Sequence, residues 1–200
     1  MQKKSFEQRA RITIERILCE PEIAVLMKQL RDHSDTTFVH SINVAFISVQ
    51  MALNRDFKKE RINNLAKGAL LHDIGKLHVS HDILASKNNL SAQEYDIIKK
   101  HPVEGCEIVK DMSFPPVVTD IIRHHHERND GSGYPDGLLR EDISIEVSLV
   151  SVADVWDAMT SERAYKPEFT GDIATEELKE YGMSYFNKEA IRLLMMCPDK

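Results

Sequence analysis

Cysteine is scarce, and the three present, Cys19, Cys106 and Cys197, are far apart with no paired spacing. That excludes a disulfide framework and reads as reduced thiols of a cytosolic protein. A surplus of positive charge is also missing, the formal net charge being -6. Duplex nucleic acid and anionic membrane surfaces favour an extended basic face, so neither is the expected partner. A small anionic substrate needs only a local positive site and stays open. No apolar stretch reads as long enough to span a membrane, and Met1-Gln2-Lys3-Lys4 leads into an amphipathic segment instead of a signal sequence. Internal repeats, low-complexity tracts and an interdomain linker are absent. What remains is 200 residues, 42% hydrophobic, enough for one sizeable core.

The apolar periodicity predicts an all-α chain. Ser5 to Glu20 carries Phe6, Ile12, Ile14, Ile17 and Leu18, and Pro21 opens a second segment running to about His33. Ser34 or Asp35 caps a helix that is apolar around most of its circumference from Phe38 to Leu53, which marks it as central. A helix from about Lys59 then delivers His72 and Asp73 at its end. Gly75 behind them suits a helix C-terminal turn. After an irregular stretch from His78 to Asn89, Ser91 to Glu94 has capping-box spacing, and Pro102 places His101 at the mouth of a helix to Asp111. A helix from about Val117 carries His124-His125-His126-Glu127. Three of the eight glycines fall between Asp130 and Gly137, which can only be loop. Ile145 to Met159 is strongly apolar yet holds Asp154 and Asp157, and helices over about 172–181 and 187–196 close the chain.

The chemistry lies in where polar residues interrupt apolar helices. Leu70-Leu71-His72-Asp73-Ile74-Gly75-Lys76 ends one such run, His40 sits inside a second and Asp154 inside a third. Burying an unpaired carboxylate or charge costs several kcal/mol, so each needs a partner. Any one of them alone reads first as a hydrogen-bonded core residue. Together with His101 and the histidine run, they all fall on helices that must pack in one small domain. Imidazoles and carboxylates without cysteine are ligands for iron, manganese or zinc, and an aspartate able to bridge fits two-metal phosphoester chemistry.

The ordered motifs resemble those of the HD-GYP subgroup of the HD-domain metal-dependent phosphohydrolases. They are His72-Asp73-Ile74-Gly75-Lys76, His101-Pro102 with Gly105, His125-His126-Glu127 with Asp130 to Pro135, and Val152-Ala153-Asp154-Val155 running into the stretch to Tyr165. The resemblance covers about residue 35 onward and implies a single-domain HD-type helical bundle around a buried binuclear site. Residues 1–34 would pack on it or lie at a homodimer interface. It implies hydrolysis of the second messenger cyclic di-GMP, by a metal-bridged hydroxide, to linear pGpG or GMP in the cytoplasm. Carried over by position, His40, His72, Asp73 and Asp154 would hold one metal, iron or manganese, and Asp73, His101, His125 and His126 the other. Asp73 bridges and, with Lys76, belongs to the catalytic set. Lys76, Tyr134, Arg163 and Lys166 would contact the substrate. Members with a third metal carry glutamate one turn before the first histidine. Thr36 stands there, so two metals are expected. Glu127 is expected to orient the histidines before it, and Asp157 to be structural or to support a ligand. The alternatives are a hydrolase of another cyclic dinucleotide or nucleotide, and a nucleotide-binding signalling module with little turnover.

Overall fold

A computed structural model describes residues 5–86, 90–161, 176–178, 180 and 182–197. Its centre is α3 (Asp35–Asn54), opened by Ser34, whose hydroxyl accepts from the Thr37 amide. Val44, Ala45, Val49, Met51 and Ala52 are fully buried around several sides of this helix. That burial is possible because α1 (Phe6–Leu18), α2 (Pro21–His33), α4 (Lys59–Leu71) and α9 (Ile145–Thr160) all pack against it. By length and composition α3 could cross a membrane, contrary to the expectation that no stretch reaches that length. Its hydrophobicity is that of the core helix in a bundle, covered on most sides by protein.

The remaining elements wrap the ends of that core. A 3-10 turn (Ile74–His78) follows α4, then come α5 (His81–Leu84), α6 (Ala92–Ile98), α7 (His101–Val109) and α8 (Pro116–His124). Short helices Gly182–Tyr185 and Lys188–Met195 lie at the end of the chain, the latter against α3 and α9. Ser91 and Glu94 form the reciprocal capping box that opens α6. Among the described residues there is no strand, only an isolated antiparallel bridge between Asp130 and Leu139.

One hydrophobic cluster runs from Ala10 in α1 to Cys197, so α1 and α2 share the core of the bundle. Each fully buried leucine or isoleucine in it contributes about 1.5–3 kcal/mol relative to exposure. This surplus supports the polar residues that the same helices bury at one end: His40 on α3, the His72-Asp73 pair after α4, His101 on α7, His125 after α8 and Asp154 on α9.

Candidate metal centre

The ends of α4, α7 and α8 deliver three imidazoles in the same way. His72 donates from Nδ1 to the Ala69 carbonyl at 2.8 Å, and His101 donates from Nδ1 to that of Ile98 at 2.7 Å. His125 does so to that of Ile122 at 3.0 Å. A ring whose proton is held at Nδ1 presents a lone pair at Nε2, the tautomer that ligates metal. α8 ends at His124, so His125 caps it and His126 and Glu127 lie beyond, where a longer helix was expected. Ser151 of α9 fixes this corner by donating to the His125 carbonyl.

Gly75 sets the distance between these elements. A Cβ there would stand 1.9 Å from the His101 carbonyl oxygen and 2.6 Å from the Gly105 nitrogen. Only a residue without a side chain lets the 3-10 turn touch α7. Its purpose is this close approach and not a left-handed helix cap, since the glycines with positive φ among the described residues are Gly131 and Gly137.

The lone pairs then converge. His101 Nε2 is 3.1 Å from His125 Nε2, two atoms that both present electron pairs once their Nδ1 protons are committed. Asp73 Oδ1 is 3.2 Å from His101 Nε2 and 4.0 Å from His125 Nε2. Its Oδ2 is 3.4 Å from His72 Nε2, 3.8 Å from His40 Nε2 and 2.6 Å from Lys76 Nζ. One carboxylate thus turns an oxygen toward each of two donor sets. The first is Asp73, His101, His125 and His126, the second His40, His72 and Asp73, with ligand atoms within 4.8 Å of one another in each. Asp154 lies between the sets, Oδ1 3.0 Å from His40 Nε2 and Oδ2 3.8 Å from His126 Nδ1.

Among the described residues, His72 Nε2 and Asp73 Oδ1 are buried without a hydrogen-bond partner. Unsatisfied acceptors in a dry interior are costly, and a cation is the species that relieves several of them at once. The donor set therefore fits divalent metal.

The electrostatics agree. Burial alone would push the Asp73 and Asp154 carboxyls up, but Lys76 and His72 around the one, and His40 and His126 around the other, hold them well below the usual range. Burial drives His101 down to about 4, His126 to about 3 and His125 well below its ordinary value. At neutral pH these rings are uncharged, the form in which imidazole binds a cation. His40 differs. Burial opposes its charge, yet Asp154 and Asp157 override that and raise it to about 9. Asp157 accepts from His40 Nδ1 at 2.6 Å and so fixes the orientation of that ring.

The loop after α8 forms a rim. Glu127 does not orient the histidines as expected. Its Oε1 accepts from the Asp136 and Gly137 amides and its Oε2 from that of Leu138, so it ties down the loop, while backbone carbonyls orient the imidazoles. Gly133 lies so close that a Cβ would fall 2.4 Å from Glu127 Cα. Tyr134, before a cis proline, stacks on the His126 ring with centroids 4.7 Å apart. Arg123 clasps Asp136 through two hydrogen bonds, and His124 bridges Asp136 and Asp120.

Two further cations stand on this rim. Arg128 covers the Phe186 ring at 4.5 Å, and Lys99 Nζ stands 4.9 Å from the centre of the Tyr134 ring. Their one sequence signal is adjacency to motif histidines. Arg163 and Lys166 lie outside the described residues. Thr36 is exposed, and Asp32 and Asp35 point to solvent beside Lys28 and Arg31.

The HD domain profile matches residues 21–189. The chain belongs to the HD-domain family, in the HD-GYP branch that its motifs resemble. It is 31% identical over 177 residues to a cyclic di-GMP phosphodiesterase of Pseudomonas aeruginosa, covering 88% of this chain and 42% of that protein. It is 35% identical over 162 residues to 3'3'-cGAMP-specific phosphodiesterase 1 of Vibrio cholerae, covering 80% and 36% respectively. It thus spans less than half the length of either relative. A solved HDG"Y"P protein from Bdellovibrio bacteriovorus, Bd1817, superposes with a TM-score of 0.66 at 23% identity, over 97% of this chain and 72% of that one, which shows the shared fold.

Proposed function

We propose that this domain is a phosphodiesterase that hydrolyses cyclic di-GMP to linear pGpG or GMP with two divalent cations, iron or manganese. The observation that carries the reading is Asp73, buried with one oxygen toward each of two imidazole sets. In it, His40, His72, Asp73 and Asp154 hold one cation and Asp73, His101, His125 and His126 the other. Bound there, the pair would supply Lewis acidity and a water acidic enough to attack phosphorus in line.

The chain's own residues do the rest. The Nδ1-to-carbonyl bonds of His72, His101 and His125 fix the rings before any substrate arrives, so no reorganisation is spent on them. Lys76, held at 2.6 Å by Asp73 and partly open to solvent, presents an ammonium to a substrate phosphoryl oxygen. Tyr134 offers a ring to the nucleotide, and Glu127 keeps that ring in place through the loop amides. Arg163 and Lys166 are assigned to phosphate binding by motif position. Thr36 at an exposed position supports two cations instead of three. The reading carries a cytoplasmic setting, takes residues 35–200 as the stretch that bears the catalytic groups and, with the inner faces of α1 and α2 in the shared core, leaves only their outer faces available to a homodimer.

A second reading, hydrolysis of 3'3'-cGAMP, is favoured by the cGAMP-specific relative and differs only in one base of the substrate. Anaerobically purified protein loaded with Fe(II) or Mn(II) and supplied with each cyclic dinucleotide separates the two. Cleavage of cyclic di-GMP to pGpG or GMP is expected. Intact cyclic di-GMP beside cleaved 3'3'-cGAMP supports the second reading, and no cleavage of either defeats both.

A further inference from the structure

A cyclic dinucleotide carries two phosphates on opposite sides of its ring. Only one can be at the metals, so the other lies about one nucleotide away, where a cation besides Arg163 and Lys166 can serve it. Lys76 lies against Asp73 and serves the first. The rim beside Tyr134 holds a cation that the reading above leaves unused. Lys99 caps α6, two residues before His101, and its Nζ stands 4.9 Å from the Tyr134 ring and 5.8 Å from the Tyr95 ring one turn earlier. Tyr134 in turn stacks on His126. Imidazole, tyrosine, ammonium and a second tyrosine thus form a continuous series from the metal cluster to the surface, where Tyr95 is 51% exposed.

Lys99 has no carboxylate partner among the described residues, although the chain carries six more acidic than basic groups. A lysine that only decorates a surface has no need of two aromatic faces to hold it. Cation–π contact with both rings fixes the ammonium while leaving its N–H groups free to donate. An exposed tyrosine beside a fixed ammonium is a base platform next to a phosphate site.

Resting on the cyclic dinucleotide reading, we propose that Lys99 and Tyr95 form a second subsite that binds the phosphate and base not undergoing hydrolysis. It makes α6 a determinant of selectivity for a ligand with two phosphates over a mononucleotide.

The test is equilibrium binding to the metal-loaded full chain, with the phosphorothioate analogue of cyclic di-GMP as one probe and GMP as the other. Lys99→Met keeps the aliphatic stem and removes the charge, and Lys99→Arg keeps the charge. Lys99→Met is expected to raise the Kd for the cyclic analogue about tenfold while shifting that for GMP less than about twofold. Lys99→Arg should stay within about threefold of wild type for both. Tyr95→Ala should weaken the cyclic analogue by about five- to tenfold. Equal losses for both probes, or none for either, overturn the subsite while the catalytic reading stands. Wild-type protein that binds GMP but not the cyclic analogue overturns that reading and the subsite with it.

Discussion

His101 and His40 are both buried imidazoles facing Asp73, and they have opposite protonation. His101 is driven down to about 4 and shares its lone-pair face with His125 at 3.1 Å. His40 rises to about 9 because Asp154 and Asp157 grip its two nitrogens at 3.0 and 2.6 Å. The His101 side thus has converging lone pairs that no described residue holds, while on the other side His40 is satisfied by a proton and His72 Nε2 beside it is not. The same fold makes a site that needs a cation beside one that must release a proton to accept it. Cation affinity on the His40 side should therefore depend more steeply on pH.

Asp73 joins the two sides, and its loss should have the largest effect. Asp73→Ala is expected to leave less than one metal per chain and to lower turnover by more than the roughly 10–100-fold that a supporting partner costs. Metal analysis and product assay on the same preparation check both. Next is Gly75→Ala, whose methyl would collide with the His101 backbone and must push α7 away from the 3-10 turn. A loss of about 3 kcal/mol or more is expected in denaturant unfolding, with metal content falling as the two sets separate. Asp157→Ala sharpens the comparison, since it touches only the His40 side. It should weaken one of two cations about 10–100-fold and leave the other, which titration with Mn(II) can resolve.

A last effect is on stability of the metal-free protein. His40 is raised from 6.5 to about 9, so its contribution is full below pH 6.5 and is lost as pH rises through 9. His101 and His126 are depressed from 6.5, so theirs is full above pH 6.5 and is lost as pH falls toward 4 and 3. Thermal melts of metal-free protein should peak near pH 6.5, and the alkaline decline should disappear in His40→Gln.

Much of this was legible in the residue order. Pro21 and Ser34 bracket α2, Ser91 and Glu94 open α6, and Ser144 caps α9 at the predicted start, because caps act within a turn of the residues that signal them. His40, the His72-Asp73 pair and Asp154 were legible as polar interruptions in apolar helices, and the structure buries them together. The rest depends on contacts distant in sequence. Glu127 finds its partners nine to eleven residues later, in a loop with no periodicity. Gly75 has its reason in α7, and α3 is apolar enough for a lipid phase because five of the described helices cover it. Lys99 acquires meaning only when the Tyr134 loop folds over it.

The central claim is that Asp73 bridges two cations, one for each imidazole set. Anomalous diffraction from crystals of Mn(II)-loaded protein tests it directly. Two peaks about 3.5–4 Å apart are expected, each within coordination distance of a different Asp73 oxygen. A single peak, or two that both avoid Asp73, would contradict it.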